Sequence, residues 1–393
     1  MPKVLFYCQH ILGIGHFVRS MEIVRGLVKD FQVCFINGGQ VLQGFQVPPS
    51  VEIVNIPAIK TDSEFQELQV ADSSLSLEDV QAIRREQLLS VFERFQPDIL
   101  AIELFPFGRR RFSFELIPLL EQAKLSGTKI VCSLRDIVVT KQNQARHEEK
   151  VCRLMNQYFD MLLIHGDPQF IRLEESFSRV SDLNCAVEYT GYVAQPVPET
   201  GVMSSDTLQL PTPARPIILA SVGGGRFGHD LLECVVKTAP LLKSRLPHHI
   251  QMFTGPFIPE EVFSHLQNLA LGSDNITIDR YTPRFLDYMK RADLSISMSG
   301  YNTTMNILMT GVPAMIMAFM GNDDQEQTIR AEKLAKLGIV NVIRKPELQP
   351  EQFAEKVVAC LNQQPNAITW DFGGIEKTAT CLRRLLQQQE AAA

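Results

Sequence analysis

Short apolar runs alternate with helical segments along the whole chain. Typical runs are Val4–Cys8, Asp98–Ile102 and Ile217–Val222. A strand that is apolar at nearly every position must be covered on both faces, and parallel sheets sandwiched between helices meet this requirement. The pattern therefore predicts an α/β protein with doubly wound, Rossmann-like sheets.

The alternation is interrupted once, at residues 194–216, where five prolines occur without periodicity. Such a composition is typical of an interdomain linker. We predict two tandem Rossmann-like domains at residues 1–195 and 217–370, joined by a linker at residues 196–216. A C-terminal helix and tail at residues 371–393 follow. Ligands of open α/β sheets bind at the carboxyl ends of the strands, so we expect the ligand in the cleft between the two domains.

The composition argues against several classes of function. The net charge of −6 is unsuited to a general nucleic-acid binder. No apolar run has the length of a signal peptide core or a membrane span, so we expect a cytoplasmic protein. The eight cysteines form no CxxC pair, and no cluster of His, Cys, Asp or Glu has metal-ligand spacing. We therefore expect reduced cysteines and no bound metal.

Two strand-to-helix turns stand about twenty residues apart in the C-terminal half. The strand Leu294–Met298 ends at a Ser-Gly pair, and a helix follows from about residue 302. The polar loop 321–324 opens a second helix at Gln325. Free N–H groups and the helix dipole at such starts favour a phosphorylated ligand, although ordinary helix caps use the same residue types. The candidate residues here are Ser299, Gly300, Asn302, Thr303, Thr304 and Asp324.

A glycine turn ends the first strand of the C-terminal half. Gly223, Gly224 and Gly225 precede Arg226, and three successive glycines expose backbone N–H groups that can surround a diphosphate. The GK[ST] ending of an ATPase phosphate loop is absent, which disfavours ATPase chemistry. A flexible turn without a ligand is the alternative interpretation.

The first strand ends in a second glycine turn, with Gly13 and Gly15 before His16. A helix N-terminus disfavours imidazolium, so His16 has the properties of a neutral general base. The alternative is an ordinary turn in which His16 is a solvated cap. The GxGxxG pattern is missing, and no acidic residue ends the next strand at Ile36, so this turn does not match a dinucleotide site of the Rossmann kind.

Charged residues follow two further strands of the N-terminal half. Arg109, Arg110 and Arg111 lie within an aromatic segment at residues 105–112, where they would bind an anionic acceptor or a membrane surface, or form a solvated basic turn. Glu103 and Asp136 also end strands. Either carboxylate would orient the histidine, bind an acceptor hydroxyl, or cap the backbone.

Together, GxGH, SVGGG and the late SGxNT…GxP…DDQEQxxRA pattern resemble the GT-B glycosyltransferases. The resemblance is greatest to MurG-type enzymes of glycosyltransferase family 28 and to a related group of predicted bacterial glycosyltransferases. It implies a donor nucleotide sugar, usually UDP-linked, on the C-terminal domain, with the diphosphate near Gly223–Gly225 and Gly300–Thr304. It also implies that Glu326 and Gln327 contact the sugar and that His16 lies near the reaction centre.

The resemblance further implies an acceptor on the N-terminal domain and neither metal nor cofactor. One position departs from the family pattern. Relatives carry a glutamate that binds the ribose hydroxyls, and this chain has Asn306 there. An amide lacks the charge-assisted contact, so donor affinity falls, nucleotide preference differs, or the protein is a non-catalytic relative.

These observations predict a metal-independent, inverting glycosyltransferase that moves a sugar from a nucleoside-diphosphate sugar to an acceptor hydroxyl. Two alternatives remain open at this point: a nucleotide-sugar 2-epimerase and a non-catalytic sugar-nucleotide-binding protein. The expected partners are a nucleotide sugar and a lipid-linked or anionic acceptor, without nucleic acid. A cytoplasmic location with peripheral contact at the inner membrane face fits these partners.

Overall fold

A computed structural model describes most of the chain. The described residues are 1–11, 14–41, 45–61, 68–70, 75–139, 143–196, 208, 215–319, 321 and 325–392. They form two compact units. Unit 1 consists of Met1–Ala194 and Trp370–Ala393, and unit 2 of Gln195–Thr369. Most of the predicted linker at residues 196–216 lies outside the described residues.

The described part of unit 1 contains a seven-stranded parallel sheet in the order β3-β2-β1-β6-β7-β8-β9. A short antiparallel pair, β4 and β5, stands apart from it. The strands are β1 (Lys3–Cys8), β2 (Gln32–Asn37), β3 (Glu52–Asn55), β4 (Ile59–Thr61), β5 (Leu68–Val70), β6 (Ile99–Glu103), β7 (Lys129–Arg135), β8 (Met161–His165) and β9 (Ala186–Tyr189). The helices are α1 (Gly15–Leu27), α2 (Leu77–Phe95), α3 (Ser113–Leu125) and α4 (Gln144–Tyr158).

Strand β1 shows why this sheet must be covered on both faces. Leu5 and Tyr7 belong to one buried cluster, together with residues of α2, α3 and α4. Val4 and Phe6 belong to a second cluster on the other face, together with residues of α1. Successive side chains of a strand point to opposite faces, so a strand that is apolar throughout contributes to both clusters.

Unit 2 contains a six-stranded parallel sheet among its described residues, in the order β12-β11-β10-β13-β14-β15. Its strands are β10 (Ile217–Ser221), β11 (His249–Phe253), β12 (Ile276–Asp279), β13 (Leu294–Met298), β14 (Ala314–Met317) and β15 (Asn341–Ile343). Its helices are α5 (His229–Lys243), α6 (Glu260–Leu269), α7 (Phe285–Arg291), α8 (Tyr301–Thr310), α9 (Glu326–Lys336) and α10 (Pro350–Leu361). The predicted α/β class with doubly wound parallel sheets is thereby confirmed.

The last helix, α11 (Gly374–Ala392), belongs to unit 1 and packs on α1. Leu382 and Leu385 join the buried cluster on that face of the sheet. Gly26 of α1 allows the close approach, because a Cβ there would lie 2.1 Å from Cγ2 of Ile375. The sequence predicts this segment as a C-terminal helix and tail outside both domains. The structure makes it part of the core of unit 1.

A fully buried ionic network lies beneath the carboxyl end of β1. Arg84 of α2 donates to both carboxylate oxygens of Glu115, at 2.6 and 2.8 Å, and Tyr7 donates to the same carboxylate. Burial, with the adjacent Glu115 charge, raises the pKa of Tyr7 well above its usual range. Arg84 also donates to Oε1 of Gln9 and to the carbonyl of Gly38. The network therefore fixes the residues that follow β1 and β2.

Candidate functional site

Each sheet has one point at which the strand order reverses. In unit 1 this point lies between β1 and β6, and in unit 2 between β10 and β13. Neighbouring connections leave such a point on opposite faces of the sheet, which opens a crevice at the carboxyl ends of the two strands. Most of the candidate residues that the structure describes lie at or beside these two points.

In unit 1, the histidine and a carboxylate meet at the switch point. His16, the second residue of α1, donates from Nδ1 to Oε1 of Glu103, the last residue of β6, at 2.6 Å. Arg19 lies one helical turn further along α1 and also donates to Oε1 of Glu103. A carboxylate can only accept here, so the proton of the neutral imidazole is on Nδ1. The Nε2 atom is left as a hydrogen-bond acceptor.

The surroundings keep His16 neutral and Glu103 ionised at neutral pH. Burial lowers the pKa of His16 from 6.5 to about 4, against the opposing effect of the Glu103 charge. Burial on its own would raise the pKa of Glu103, but His16 and the positive charges of Arg19 and Arg109 lower it from 4.5 to about 2. The imidazole side chain remains 17% exposed, whereas Glu103 is fully buried. A neutral, partly exposed base is therefore hydrogen-bonded to an ionised, fully buried carboxylate.

Arginine side chains surround the same switch point. Arg109 donates from Nε to the carbonyl of Gln9 at 2.6 Å. Its backbone has a φ of 58°, and Leu104 at the start of the same loop has a φ of 67°. Non-glycine residues seldom adopt this left-handed conformation, which occurs disproportionately at functional sites. Arg135 ends β7 next to this loop, and its charge also acts on His16.

The remaining acceptor candidates are less uniformly placed. Gly15 is the first residue of α1, Gly13 lies outside the described residues, and Arg110 is half-buried in a short 3₁₀ turn. Asp136 follows β7 and is fully buried. The aromatic side chains of the basic segment, Phe105, Phe107 and Phe112, belong to the core of unit 1 and so present no membrane-facing surface. Among the described residues, no helix is both long and apolar enough to cross a bilayer.

In unit 2, the glycine turn after β10 is shaped by backbone contacts. Gly223 and Gly225 have φ values of 69° and 89°, which glycine adopts without strain. Gly255, after β11, packs so closely that a Cβ there would lie 2.4 Å from the nitrogen of Gly225. Gly224 accepts from the amide of Phe257, and the guanidinium of Arg226 lies over the ring of that residue. A Cβ on Gly223 would meet no atom within 4 Å, so this side of the turn is open to a ligand.

Hydrogen bonds connect the helix N-termini that follow β13 and β14. Gly300 is the N-cap of α8 and also has open space where a Cβ would lie. Ser299 donates from its hydroxyl to the carbonyl of Gln327 on α9. The side-chain oxygen of Gln327 accepts from the amide of Phe319 at 3.0 Å. The structure thus brings Ser299, Gly300 and Gln327 to one edge of the sheet.

The same edge includes the glycine turn, because the rings of Phe227 and Phe319 lie 4.5 Å apart. On α8, Asn302 and Thr303 are half-exposed, and Thr304 is fully buried. Asn306 is 6% exposed. Asp324 lies outside the described residues.

Two residues of these sites, Arg19 and Gly255, and the contact between Glu326 and Arg330 were not anticipated. Arg19 stands three residues after His16, a spacing that places both on one helix face and would have indicated the contact. Gly255 carries no sequence signal beyond being a glycine after a strand. Glu326 is 3% exposed, and its carboxylate accepts from Arg330 at 2.8 Å, an i,i+4 pair that is visible in the sequence. Among the described residues, no group of three His, Cys, Asp or Glu side chains is arranged to hold a metal ion.

Comparison with known proteins identifies the C-terminal half. Residues 219–370 match the glycosyltransferase family 28 C-terminal domain. The matched segment covers most of unit 2 and less than half of the chain. The glycine turn and both helix starts described above lie within the matched segment, and the predicted resemblance to this family is confirmed.

Similar sequences bear the name UDP-N-acetylglucosamine–N-acetylmuramyl-(pentapeptide) pyrophosphoryl-undecaprenol N-acetylglucosamine transferase. The protein from Methylobacterium radiotolerans is 28% identical over 142 residues, which are 36% of this chain and 37% of that protein. The protein from Brucella anthropi is 28% identical over 191 residues, which are 42% of this chain and 49% of that protein. The chain thus spans at most about half the length of these relatives. The protein from Oenococcus oeni is 23% identical over 85% of this chain and 82% of its own.

Solved structures extend the likeness to both units. MurG from Acinetobacter baumannii has a TM-score of 0.56 and 15% identity, covering 98% of this chain and 100% of that one. The calicheamicin glycosyltransferase CalG4 has a TM-score of 0.59 and 15% identity, and the match covers 98% of this chain and 94% of CalG4. TcCGT1 in complex with UDP has a TM-score of 0.60 and 13% identity, covering 98% and 99%. The GT-B fold is therefore shown.

Proposed function

We propose that this protein transfers a sugar from a nucleoside-diphosphate sugar, UDP-linked by analogy with its relatives, to the hydroxyl of an acceptor. The observation that carries the proposal is the hydrogen bond from His16 to Glu103 at the switch point of unit 1. It presents a neutral base, whose Nε2 has no hydrogen-bond partner in the part of the chain that the structure describes, at the edge of a sheet where ligands of this fold class bind.

The proposed reaction is one direct displacement. His16 accepts the proton of the acceptor hydroxyl at Nε2, and the hydroxyl oxygen forms a bond to the anomeric carbon of the sugar. The bond between that carbon and the diphosphate breaks, and the nucleoside diphosphate leaves with the bonding electrons. Glu103 holds the imidazole by Nδ1 and stabilises the imidazolium that forms. Attack opposite to the leaving group inverts the anomeric configuration.

The donor is assigned to unit 2. The backbone amides of the open glycine turn and the N-termini of α8 and α9 provide positive partial charge for the diphosphate. The leaving group then needs no metal ion. The side-chain oxygen of Gln327 already accepts from Phe319, so its NH₂ group is the part that donates to a sugar hydroxyl.

The acceptor is assigned to unit 1, with an anionic group beside Arg109. This guanidinium uses Nε for the carbonyl of Gln9, and its two terminal NH₂ groups form no hydrogen bond with the described residues. A guanidinium presents these groups as a fork that fits phosphate or carboxylate. A lipid-linked acceptor with a phosphate group, bound at the inner membrane face, has this chemistry.

The test compares His16→Ala with the unmodified enzyme in UDP release from UDP-N-acetylglucosamine across a panel of acceptors. Loss of a general base lowers kcat by roughly 100-fold or more, whereas the Kd for UDP should not change because unit 2 binds it. His265→Ala is the matched control, since this histidine is 54% exposed and lies in unit 2. Unchanged turnover of a folded His16→Ala variant would contradict the proposal.

Product analysis separates the remaining alternatives. Transfer with an inverted anomeric centre, read by NMR, supports direct displacement, and retention contradicts it. Conversion of UDP-N-acetylglucosamine without an acceptor identifies an epimerase. UDP binding without turnover across the panel identifies a non-catalytic protein. A melting-temperature screen with UDP, GDP, dTDP and CDP sugars identifies the donor, because a ligand that binds only the native state raises the melting temperature.

A further inference from the structure

An arginine is completely buried beside the proposed donor site. Arg330 on α9 is 0% exposed. Its Nη2 donates to Oε1 of Glu326, the first residue of the same helix, at 2.8 Å. Its guanidinium carbon lies 5.5 Å from the ring centre of Tyr301, the first residue of α8. One side chain thus contacts the first residues of two helices.

This position is electrostatically unfavourable for a cation. Helical side chains lean toward the N-terminus, so the guanidinium of Arg330 lies beside the first turn of α9. The positive end of the helix dipole repels it there, and burial removes its hydration. Glu326 and the face of the Tyr301 ring offset part of this cost. An apolar side chain of similar volume would fill the space without this electrostatic cost. The buried charge therefore indicates that Arg330 has a function at the two helix N-termini.

The task follows from what the two helix starts do. Helix α8 begins at Gly300, and the first turn of α9 contains Gln327, which accepts from Ser299 and from Phe319. Each of these contacts pairs a side-chain atom with a backbone group, and together they join the turn after β13 to the turn after β14. The arginine joins the same two turns through side chains, and it does so from within the core.

We propose that Arg330 is a positioning residue of the donor site. It holds Glu326 and Tyr301 together, so that the first turns of α8 and α9 keep the arrangement that accepts the diphosphate and the sugar. This inference rests on the proposed function. It adds that donor affinity depends on a residue that touches no substrate.

The experiment measures UDP binding by calorimetry, and donor KM and kcat, in full-length variants with the fold checked by circular dichroism. Arg330→Met fills the space without the charge, and Arg330→Lys keeps the charge without the flat guanidinium. Tyr301→Leu removes the ring, and Tyr301→Phe keeps it. Arg344→Met is the matched control in unit 2, because that arginine is 67% exposed and pairs with Glu332 at the surface.

We expect Arg330→Met and Tyr301→Leu to raise the Kd for UDP and the donor KM by roughly tenfold or more, with a smaller change in kcat, because small displacements of binding groups are costly. Arg330→Lys should recover part of the loss. Arg344→Met should match the unmodified protein, and Tyr301→Phe, which keeps the ring, should bind UDP more tightly than Tyr301→Leu. A purely structural arginine would lower the melting temperature and leave the Kd of the folded protein unchanged.

The outcomes separate the two proposals. If the unmodified protein binds UDP and folded Arg330→Met binds it equally well, the inference is wrong and the proposed function stands. If the unmodified protein binds no nucleotide in the sugar-nucleotide screen, the proposed function fails and the inference with it. Should Arg330→Met not fold, the Arg330→Lys variant and the Tyr301 pair decide. Unchanged UDP affinity in both Arg330→Lys and Tyr301→Leu contradicts the inference.

Discussion

Replacing His16 with asparagine should make the stability of unit 1 less sensitive to acid. Burial lowers the pKa of His16 to about 4 in the folded protein, from 6.5 in the unfolded chain. Between these values the unfolded state binds the proton and the folded state does not. The stability from a neutral His16 is therefore complete above about pH 6.5 and is lost as the pH falls toward 4. Asparagine does not titrate and still donates to Glu103, so the variant lacks this loss.

The size of the effect follows from the two pKa values. Proton linkage for one such group gives a free energy of unfolding about 2 kcal/mol lower at pH 5 than at pH 7. The ionised carboxylate of Glu103 contributes little in this window, because its pKa in the folded protein is about 2 and its stabilisation is lost only at lower pH. The difference between the unmodified protein and the variant should therefore change by about 2 kcal/mol from pH 7 to pH 5.

The chain contains a natural probe for this measurement. Trp370 is the only tryptophan, belongs to unit 1, and packs edge-on against Phe170 at 5.1 Å. Its fluorescence in urea titrations at several pH values reports the unfolding of unit 1 separately from unit 2. His265→Asn, in unit 2, is the control and should leave the pH profile of the tryptophan signal unchanged. Parallel profiles for the unmodified protein and His16→Asn between pH 7 and pH 5 would refute the assignment of a neutral, proton-excluding imidazole.

Three further substitutions test the geometry. Gly255→Ala should weaken UDP binding by roughly tenfold or more, measured by calorimetry, because its Cβ would collide with the nitrogen of Gly225 and a φ of 94° is strained for alanine. Glu115→Gln should lower the free energy of unfolding of unit 1 by about 3–5 kcal/mol in urea titrations, since it leaves the buried charge of Arg84 uncompensated. Leu382→Ala, at a side chain that is 1% exposed, should destabilise unit 1 by about 2–5 kcal/mol. A Trp370 fluorescence transition unchanged by Leu382→Ala would contradict the packing of α11.

Local sequence signals were sufficient to predict most of the strands and helices. The expected strand Leu294–Met298 agrees with β13 at both ends. Helix α8 begins one residue before the expected position and ends before Gly311, which has a φ of 68° and caps the helix. Apolar runs and glycine punctuation are encoded within a few residues, so they can be read without knowledge of the tertiary structure.

Features that depend on distant residues could not be predicted in this way. The packing of α11 on unit 1 pairs Ile375 with Gly26, and nothing near either residue indicates the other. The strands β4 and β5 have three residues each, too few for a periodic pattern. Their pairing depends on register, which such short segments do not specify by themselves.

The candidate site shows the same division. His16 and Glu103 could be placed near each other because both follow strands that meet at one edge of the sheet. The second contact of the Glu103 carboxylate, with Arg19, could not be predicted, because it depends on how α1 is rotated about its axis against the sheet. Glu326 was expected to contact the sugar. In the structure its carboxylate accepts a hydrogen bond from Arg330, so only part of it is available to a ligand. Its contact with the donor remains a prediction.

The two units use the same topological position with different chemistry, and this difference governs how each responds to substitution. Unit 1 places side chains at its switch point, so replacing His16 removes the proposed chemistry and can leave the fold intact. Unit 2 places backbone amides there, and only a substitution by proline removes a backbone N–H. Any other substitution can act on the proposed binding groups only by displacing them, as a Cβ at Gly255 or the loss of Arg330 would. The proposed donor preference therefore depends mainly on side chains of the elements that carry these amides, and Asn306, which departs from the family pattern, lies on one of these elements, α8.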